Sequence, residues 1–283
     1  MQNNNTVKFE FIALMASLMS LVALSIDALL PALPEIGAAV GVVNANDNQL
    51  LITMIFLGLG FGQLIFGPLS DSFGRKRIVY FGFVVFFIAS IICVTTKNFE
   101  IMILGRILQG VGLSSPRSLT LSMIRDSYSG DYMAKIISIV VMFFILVPVV
   151  APTLGQFLIN FFNWESIFYF NLIFGIIIMI WFSIRQPETL PKEKRLKLTP
   201  HLFIDGTKEF FKYKDAVAFT FVSGFITGSF MVYLSTSQQI FQEQYNLADM
   251  FPYIFASLAI SVGLATFLNS QLVVKFGMYK IAF

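Results

Sequence analysis

The chain has 283 residues, of which 57% are hydrophobic and 12% are charged, and its formal net charge is +3. Ordinary soluble domains carry about 25% charged residues, so this composition excludes a typical soluble protein and indicates a membrane protein. The single cysteine, Cys93, excludes an intrachain disulfide. The sequence has no glycine-rich phosphate loop, nucleophile elbow, metal-spaced His/Cys cluster or basic nucleic-acid patch. We therefore expect no enzyme activity, metal, cofactor or nucleic-acid partner.

Eight apolar stretches are long enough to cross a bilayer, which takes about 20 helical residues. In chain order they are Phe11–Leu33, Gln49–Pro68, Ile78–Thr95, Ile101–Ile124, Lys135–Asn160, Glu165–Ile184, Asp215–Phe241 and Phe251–Val274. A basic connector with three prolines, residues 185–214, follows the sixth stretch. The sequence thus predicts an all-α membrane protein with a six-helix N-terminal bundle (residues 1–184), the connector, and a partial C-terminal bundle of two helices (residues 215–283).

The basic residues of the loops are distributed unevenly between the two ends of these helices. Nearly all of them fall on the side of the N-terminus and the connector, whereas Lys97 falls on the other side. Cytoplasmic loops of membrane proteins carry the excess of Lys and Arg. We therefore expect the N-terminus and the connector to be cytoplasmic.

A charged turn joins the second and third predicted helices, with the sequence Gly67-Pro68-Leu69-Ser70-Asp71-Ser72-Phe73-Gly74-Arg75-Lys76-Arg77. Pro68 is predicted to stop the second helix, because proline lacks an N–H and crowds the preceding turn. Gly74 can adopt the positive φ that the turn needs. Asp71 would supply a carboxylate where the next helix begins.

Ionisable side chains inside the predicted helices are functional candidates, because burying them costs several kcal/mol unless they are paired or hydrated. Three such residues are Asp27, Arg106 and Arg117. The first predicted helix starts on the cytoplasmic side and the fourth starts on the other side. At 1.5 Å per helical residue, Asp27 lies about 24 Å from the start of the first at Phe11, and Arg106 lies about 8 Å from the start of the fourth at Ile101. Both would therefore lie at a similar depth. Two interpretations stay open: a fixed ion pair that joins two helices, or a carboxylate that gains and loses a proton beside Arg106.

The charged turn resembles the signature loop between helices 2 and 3 of the major facilitator superfamily. The matching residues are Gly67, Leu69, Asp71, Gly74, Arg75 and Lys76, while Ser72 replaces the usual basic residue. The segment Gly105–Gly110 is similar to the superfamily's R-x-x-Q-G segment, which is implicated in proton coupling. The segment Ser25–Pro34, with an acidic residue followed by L-P-A-L-P, resembles helix 1 of Bcr/CflA-type drug–proton antiporters. Arg125-Asp126 resembles the R-D that follows helix 4 in that group.

The fifth predicted helix matches that group less well. The antiporter signature there is rich in glycine and centred on G-P, whereas this chain has a sparser version formed by Pro148, Ala151, Pro152 and Gly155. These residues either form an antiporter motif that lets helices approach closely or simply kink a packed helix. Both interpretations stay open.

The resemblance implies the major facilitator fold with eight of its twelve helices. It also implies proton-driven export of small amphipathic organic molecules across the cell inner membrane, by a monomer that uses alternating access. Asp27 and Arg106 would couple protons to transport, and Gln63, Gln109 and Arg117 would line the substrate cavity. The turn and the residue after helix 4 would form a conformational latch that holds the cytoplasmic face closed. The residues of this latch would be Gly67, Asp71, Gly74, Arg75, Lys76 and Arg125.

Two alternatives to drug export remain at this point. One is a proton symporter that imports a metabolite, and the other is a transporter fragment that transports nothing. The chain ends at Phe283, before helices 9 to 12 of the implied fold. We therefore expect residues 1–283 alone not to perform coupled transport.

Overall fold

The computed structural model describes residues 9–199 and 207–276, and long helices dominate these residues. The long helices are α1 (Phe9–Asp27), α3 (Leu50–Phe73), α4 (Arg75–Thr95), α5 (Phe99–Ser127), α6 (Gly130–Phe161), α7 (Glu165–Arg185), α9 (Lys214–Gln238) and α10 (Phe251–Phe276). The short helices are α2 (Leu33–Ala39) and α8 (residues 207–212). Further helical turns cover Leu30–Ala32, Ala45–Gln49, Lys192–Lys194 and Gln239–Gln244. Each of the eight predicted helices has a counterpart, which confirms the all-α architecture.

Six segments of the described chain are long and apolar enough to cross a membrane. They are Phe9–Ala39, Ala45–Phe73, Arg75–Thr95, Tyr132–Phe161, Glu165–Arg185 and Lys214–Gln244. Helix α5 is also long enough, at 29 residues, but polar side chains such as Arg106, Gln109 and Arg117 lower its hydropathy. Exposed apolar side chains such as Leu64 and Ile173 cover the outside of the bundle, as a lipid-facing surface requires.

Helix α5 lies at the centre of the packing. It packs along α3 on one side and along α4 on the other. The contact with α3 is a contact between backbones, because a Cβ added at Gly58 would lie 2.0 Å from the Ile107 carbonyl oxygen. Helix α1 packs against α5, α6 and α7, and α10 packs against α6. Polar residues on α5 are therefore enclosed by protein and can form hydrogen bonds with groups of the neighbouring helices.

The first predicted helix is not continuous, which corrects the prediction Phe11–Leu33. Helix α1 ends at Asp27, and a helical turn and α2 carry the chain on to Ala39. Pro31 and Pro34 explain the break, because neither can donate the backbone hydrogen bond to the residue four positions earlier. For Pro31 that residue is Asp27. The break thus lies beside the carboxylate.

The second predicted helix does not stop at Pro68, which is a second correction. Helix α3 continues through Pro68 to Phe73 and ends at Gly74, whose φ is +98°. Membrane helices tolerate internal proline, which here removes one backbone hydrogen bond, that from position 68 to the Leu64 carbonyl. The Ser70 hydroxyl donates to another carbonyl of this region, that of Gly67, at 2.7 Å. Asp71 therefore belongs to the last turn of α3.

The division into an N-terminal bundle, a connector and a partial C-terminal bundle stays a prediction. Residues 277–283 of the predicted C-terminal bundle lie outside the described residues.

Labelling of introduced cysteines tests the predicted orientation. Val43 and Lys194 are both exposed and lie at opposite ends of the bundle. We expect a membrane-impermeant maleimide to label Val43→Cys in intact cells and Lys194→Cys only after permeabilisation. The buried native Cys93 can stay as an unlabelled internal control. Labelling of Lys194→Cys in intact cells would contradict a cytoplasmic connector.

Candidate functional site

Asp27 occupies the break in the first membrane segment. It is the last residue of α1, its side chain is buried, and its Oδ1 atom has no hydrogen-bond partner among the described residues. Buried carboxylate oxygens are normally hydrogen-bonded, so an unsatisfied one needs a specific explanation. Asp27 is thus a buried carboxyl group with one oxygen that the described residues leave without a donor.

Helix α6 holds the break in place. Gly155 packs against it, since a Cβ added at this position would lie 2.0 Å from the Ala28 carbonyl oxygen. Ala151 and Pro152 are also buried on α6, whereas Pro148 is half-buried. Any side chain at position 155 would push α6 away from α1. Gly155, one of the residues predicted as an antiporter-like motif, therefore makes the close contact with the backbone next to Asp27.

Arg106 is fully buried and all of its hydrogen bonds run to protein groups. Its Nε donates to the Leu51 carbonyl at 2.8 Å, and Nη1 donates to Gln109 Oε1 at 2.7 Å. Nη1 and Nη2 also donate to the Ser25 carbonyl at 3.3 and 3.2 Å. The Gln109 amide in turn donates to the Ser90 hydroxyl at 2.7 Å. One guanidinium and one amide thus join α1, α3, α4 and α5.

Asp27 and Arg106 do not form an ion pair. The guanidinium bonds instead to the Ser25 carbonyl, two residues before the carboxylate. The last carbonyls of a helix have no intrahelical partner. Because α1 ends at Asp27, the Ser25 carbonyl is one of these and accepts from Arg106. A fixed ion pair between the two side chains, one of the two interpretations of the sequence, is therefore not present.

The three residues predicted to line the substrate cavity lie in different surroundings. Gln109 is buried and uses its amide in the Arg106 network. Gln63 is half-buried on α3 and makes no hydrogen bond to another described residue. Arg117 is half-buried on α5, and its guanidinium carbon lies 5.5 Å from the centre of the Phe144 ring on α6. No hydrogen bond joins any two of these three residues.

The turn between α3 and α4 is organised by Arg75. Its guanidinium bonds to Asp71 Oδ1 at 2.6 Å and to Asp126 Oδ2 at 3.0 Å. Lys76 donates to the carbonyls of Ser183 and Gln186 at the end of α7. Arg125 is exposed and lies outside this network, whereas its neighbour Asp126 belongs to it. Successive helical residues point about 100° apart, so only one of the two can face the turn.

The connector folds back onto this turn and is not a free linker. The Glu188 carboxylate accepts from the backbone N–H of Arg75 at 2.9 Å and from that of Lys76 at 3.3 Å. It also lies 3.6 Å from the Arg195 guanidinium. Gly74 leaves room for it, since a Cβ there would lie 2.4 Å from Glu188 Oε2. The Leu196 N–H donates to the Asp71 carbonyl at 3.0 Å.

Sequence reasoning missed Glu188, because its partners are more than a hundred positions away. One signal was present. Helix α4 begins with three cations in succession, Arg75, Lys76 and Arg77, although the N-terminus of a helix favours negative charge. Such a helix needs a carboxylate from elsewhere, and Glu188 is one of four acidic residues in a connector with eight Lys and Arg residues.

A polar seam joins α9 to the N-terminal bundle at the opposite end of the molecule. Gln239 donates to Asn46 Oδ1 at 2.6 Å and accepts a hydrogen bond from Gln49. The Thr53 hydroxyl donates to the Ser235 hydroxyl at 3.3 Å. The earlier part of α9 is almost entirely exposed, and its residues become buried only near the seam. The two ends of the bundle thus carry different polar contacts.

Comparison with known proteins identifies the family. The sequence profile described as "Major Facilitator Superfamily" matches residues 15–283. The chain belongs to the major facilitator superfamily. It is therefore a multi-pass membrane protein of a transporter family and not an enzyme. This finding confirms the resemblance seen in the charged turn.

The names of individual relatives fit the predicted type of transporter. The chain is 30% identical to the bicyclomycin resistance protein homolog of Haemophilus influenzae, over 99% of this chain and 71% of that protein. It is also 30% identical to multidrug resistance protein MdtL of Citrobacter koseri, over 64% of this chain and 46% of that protein. A solved D-xylose–proton symporter matches 95% of this chain and 70% of its own, with a TM-score of 0.69. Its 16% identity indicates a shared fold alone.

Removing the carboxylate of the connector should destabilise the protein. Glu188→Ala leaves two N–H groups of α4 without their acceptor, and losing a comparable N-cap costs about 0.5–2 kcal/mol. We expect a lower thermal unfolding midpoint for the purified variant in detergent. Glu193→Ala is the matched control, because Glu193 is exposed and makes no hydrogen bond or ion pair with a described residue. Equal midpoints for the two variants would contradict a stabilising role of Glu188.

Proposed function

We propose that the protein exports small amphipathic organic molecules across the cell inner membrane in exchange for protons, with the N-terminus and the connector in the cytoplasm. Membership of a transporter family supports transport, and the names of the relatives, which refer to bicyclomycin and multidrug resistance, support drug-like substrates. One observation carries the coupling to protons. It is the buried carboxyl of Asp27, which has an unsatisfied oxygen at a helix break.

Asp27 is the proton carrier in this proposal. Burying an ionised carboxylate without donors costs far more than burying a protonated one. The enclosed arrangement around Asp27 therefore suits the protonated form. When the site opens to water, the proton can leave and the carboxylate becomes hydrated. Proton binding and release thus follow the exposure of one side chain.

Arg106, on α5, influences proton binding at Asp27 through its contact with the end of α1. Its guanidinium is bonded to the Ser25 carbonyl, next to the break. Loss of the proton creates an anion two residues away, which attracts the guanidinium away from a neutral carbonyl. The protonation state of Asp27 would in this way change the contact between α1 and α5.

Helix α6 transmits the change in the contact between α1 and α5 to the partial C-terminal bundle. Gly155 contacts the Ala28 carbonyl at the break, and α6 packs against α10 along its other side. Because α6 is in direct contact with the backbone at the break, a movement of the break displaces α6 as well. Transporters of this type alternate access by rocking one bundle against the other around a fixed site.

The two ends of the bundle supply the contacts that such rocking must break and form. The seam of Gln49, Thr53, Ser235 and Gln239 closes the end opposite the connector. The network of Asp71, Arg75 and Asp126 orders the cytoplasmic turn, and the connector is bonded to it through Glu188. In this proposal, opening of the seam exposes the substrate to the outside.

Replacement of Asp27 tests the coupling. Asp27→Asn keeps the shape and polarity of the side chain but cannot carry a proton. We expect it to abolish proton-gradient-driven uptake of an ethidium-like dye into inside-out vesicles from cells that express the chain extended to the twelve helices of the family fold, while equilibrium binding of the dye remains. Asp215→Asn, in the exposed first turn of α9, is the matched control. Unchanged flux and pH dependence in Asp27→Asn would remove Asp27 from the coupling mechanism.

Cross-linking of the seam tests alternating access. The hydroxyl oxygens of Thr53 and Ser235 are 3.3 Å apart, so cysteines at both positions should form a disulfide on oxidation. We expect oxidation of Thr53→Cys/Ser235→Cys to stop dye flux and reduction to restore it, because the seam can no longer open. The two single-cysteine variants should be insensitive to the oxidant. Full flux through a quantitatively cross-linked protein would contradict the proposed opening.

A further inference from the structure

A small apolar cavity lies between α6, α9 and α10. Its volume is about 140 Å³, and aromatic rings from all three helices line it, namely those of Phe144, Phe230, Tyr233 and Phe255. An apolar protein cavity of about 150 Å³ accommodates a benzene molecule. The cavity therefore has the size and the lining for a single six-membered aromatic ring.

A cation beside the cavity is suited to a polar substituent on such a ring. Phe144, which lines the cavity, also carries the guanidinium of Arg117 on its ring face at 5.5 Å.

Arg117 is a cation that the described part of the protein leaves without an anionic partner. None of the ion pairs among the described residues includes it, and it donates no hydrogen bond to them. A guanidinium stacked on an aromatic ring keeps the N–H groups at its edge free to bind a carboxylate. Arg106, in contrast, donates four of its five N–H groups to protein acceptors. Of these two arginines of α5, Arg117 is thus the one whose donors are left for a ligand.

We infer that this cavity and Arg117 together bind an aromatic anion, with the ring in the cavity and the anionic group at the guanidinium. An anion compensates the half-buried charge, whereas an organic cation would add a second positive charge beside it. As a statement about what is transported, the inference rests on the proposed export function. It then identifies aromatic anions as a substrate class. As a statement about binding, it stands by itself.

Three probes of nearly equal shape separate charge from size. Benzoate, benzamide and benzamidinium carry charges of −1, 0 and +1 on the same ring. Their binding to the purified chain in detergent can be measured by saturation-transfer NMR, with empty micelles as the blank. We expect benzoate to bind about tenfold more tightly than benzamide, as one charge-assisted hydrogen bond implies, and benzamidinium to bind most weakly.

Variants assign the preference to particular residues. Arg117→Gln should abolish the difference between benzoate and benzamide, while Arg117→Lys should retain part of it. Arg77→Gln is the matched control, because Arg77 is exposed and makes no hydrogen bond or ion pair with a described residue. Ala259→Phe, which fills the cavity from α10, should weaken the binding of all three probes. Thermal unfolding verifies that each variant is folded.

Several outcomes would overturn the inference. Equal binding of the three probes to the unmodified chain would indicate a site for neutral apolar groups, such as lipid chains. Absence of binding to the folded chain, or a benzoate preference that survives Arg117→Gln, would also reject it. The two proposals can fail separately. Gradient-driven dye flux without a benzoate preference rejects this inference alone, and an Arg117-dependent preference without gradient-driven flux rejects the export proposal alone.

Discussion

The burial of Arg106 is the constraint on which the arrangement of the N-terminal helices depends. A guanidinium cannot lose its charge at ordinary pH, so its donors must be satisfied wherever it is enclosed. Here that requirement is met by a carbonyl at the end of α1, a carbonyl of α3 and the side chain of Gln109. The carbonyl of Ser25 is available only because α1 ends at Asp27. The helix break and the buried arginine are therefore parts of one arrangement.

Four buried or half-buried charged groups of the described helices fall into two kinds. Arg75 and Arg106 have protein partners for their guanidinium groups, and both hold helices in position. Asp27 and Arg117 have incomplete sets of partners, and both lie beside places where the packing is interrupted, a helix break in one case and a cavity in the other. The first kind stabilises the fold. The second kind is available to protons and ligands, and for this reason both proposals rest on it.

Contacts at the two ends of the bundle differ in strength as well as in composition. The connector end is held by ion pairs and by a carboxylate that bonds to backbone N–H groups, which are stronger than neutral hydrogen bonds. The opposite end is held by amide and hydroxyl groups, each of which water can replace at little cost. In the proposed cycle the seam, which joins α9 to the N-terminal bundle, is the contact that opens, whereas the ion pairs and hydrogen bonds at the connector end join α3, α4, α5 and the connector to one another.

Composition and local patterns alone determined that the chain is an all-α membrane protein with eight long helices. The charged turn alone indicated its family. Both could be recognised because the length of an apolar stretch and the residue types of a turn are properties of neighbouring residues. Only the tertiary structure decided which buried charges have partners. Asp27 and Arg106 lie at similar depth, as helix geometry predicted, but they are not paired, because the carbonyl of Ser25 competes for the guanidinium. Glu188 and Asp126 join the turn because the chain folds back over more than a hundred and more than fifty residues, respectively. Such contacts depend on the packing of distant helices, and no local pattern contains that information.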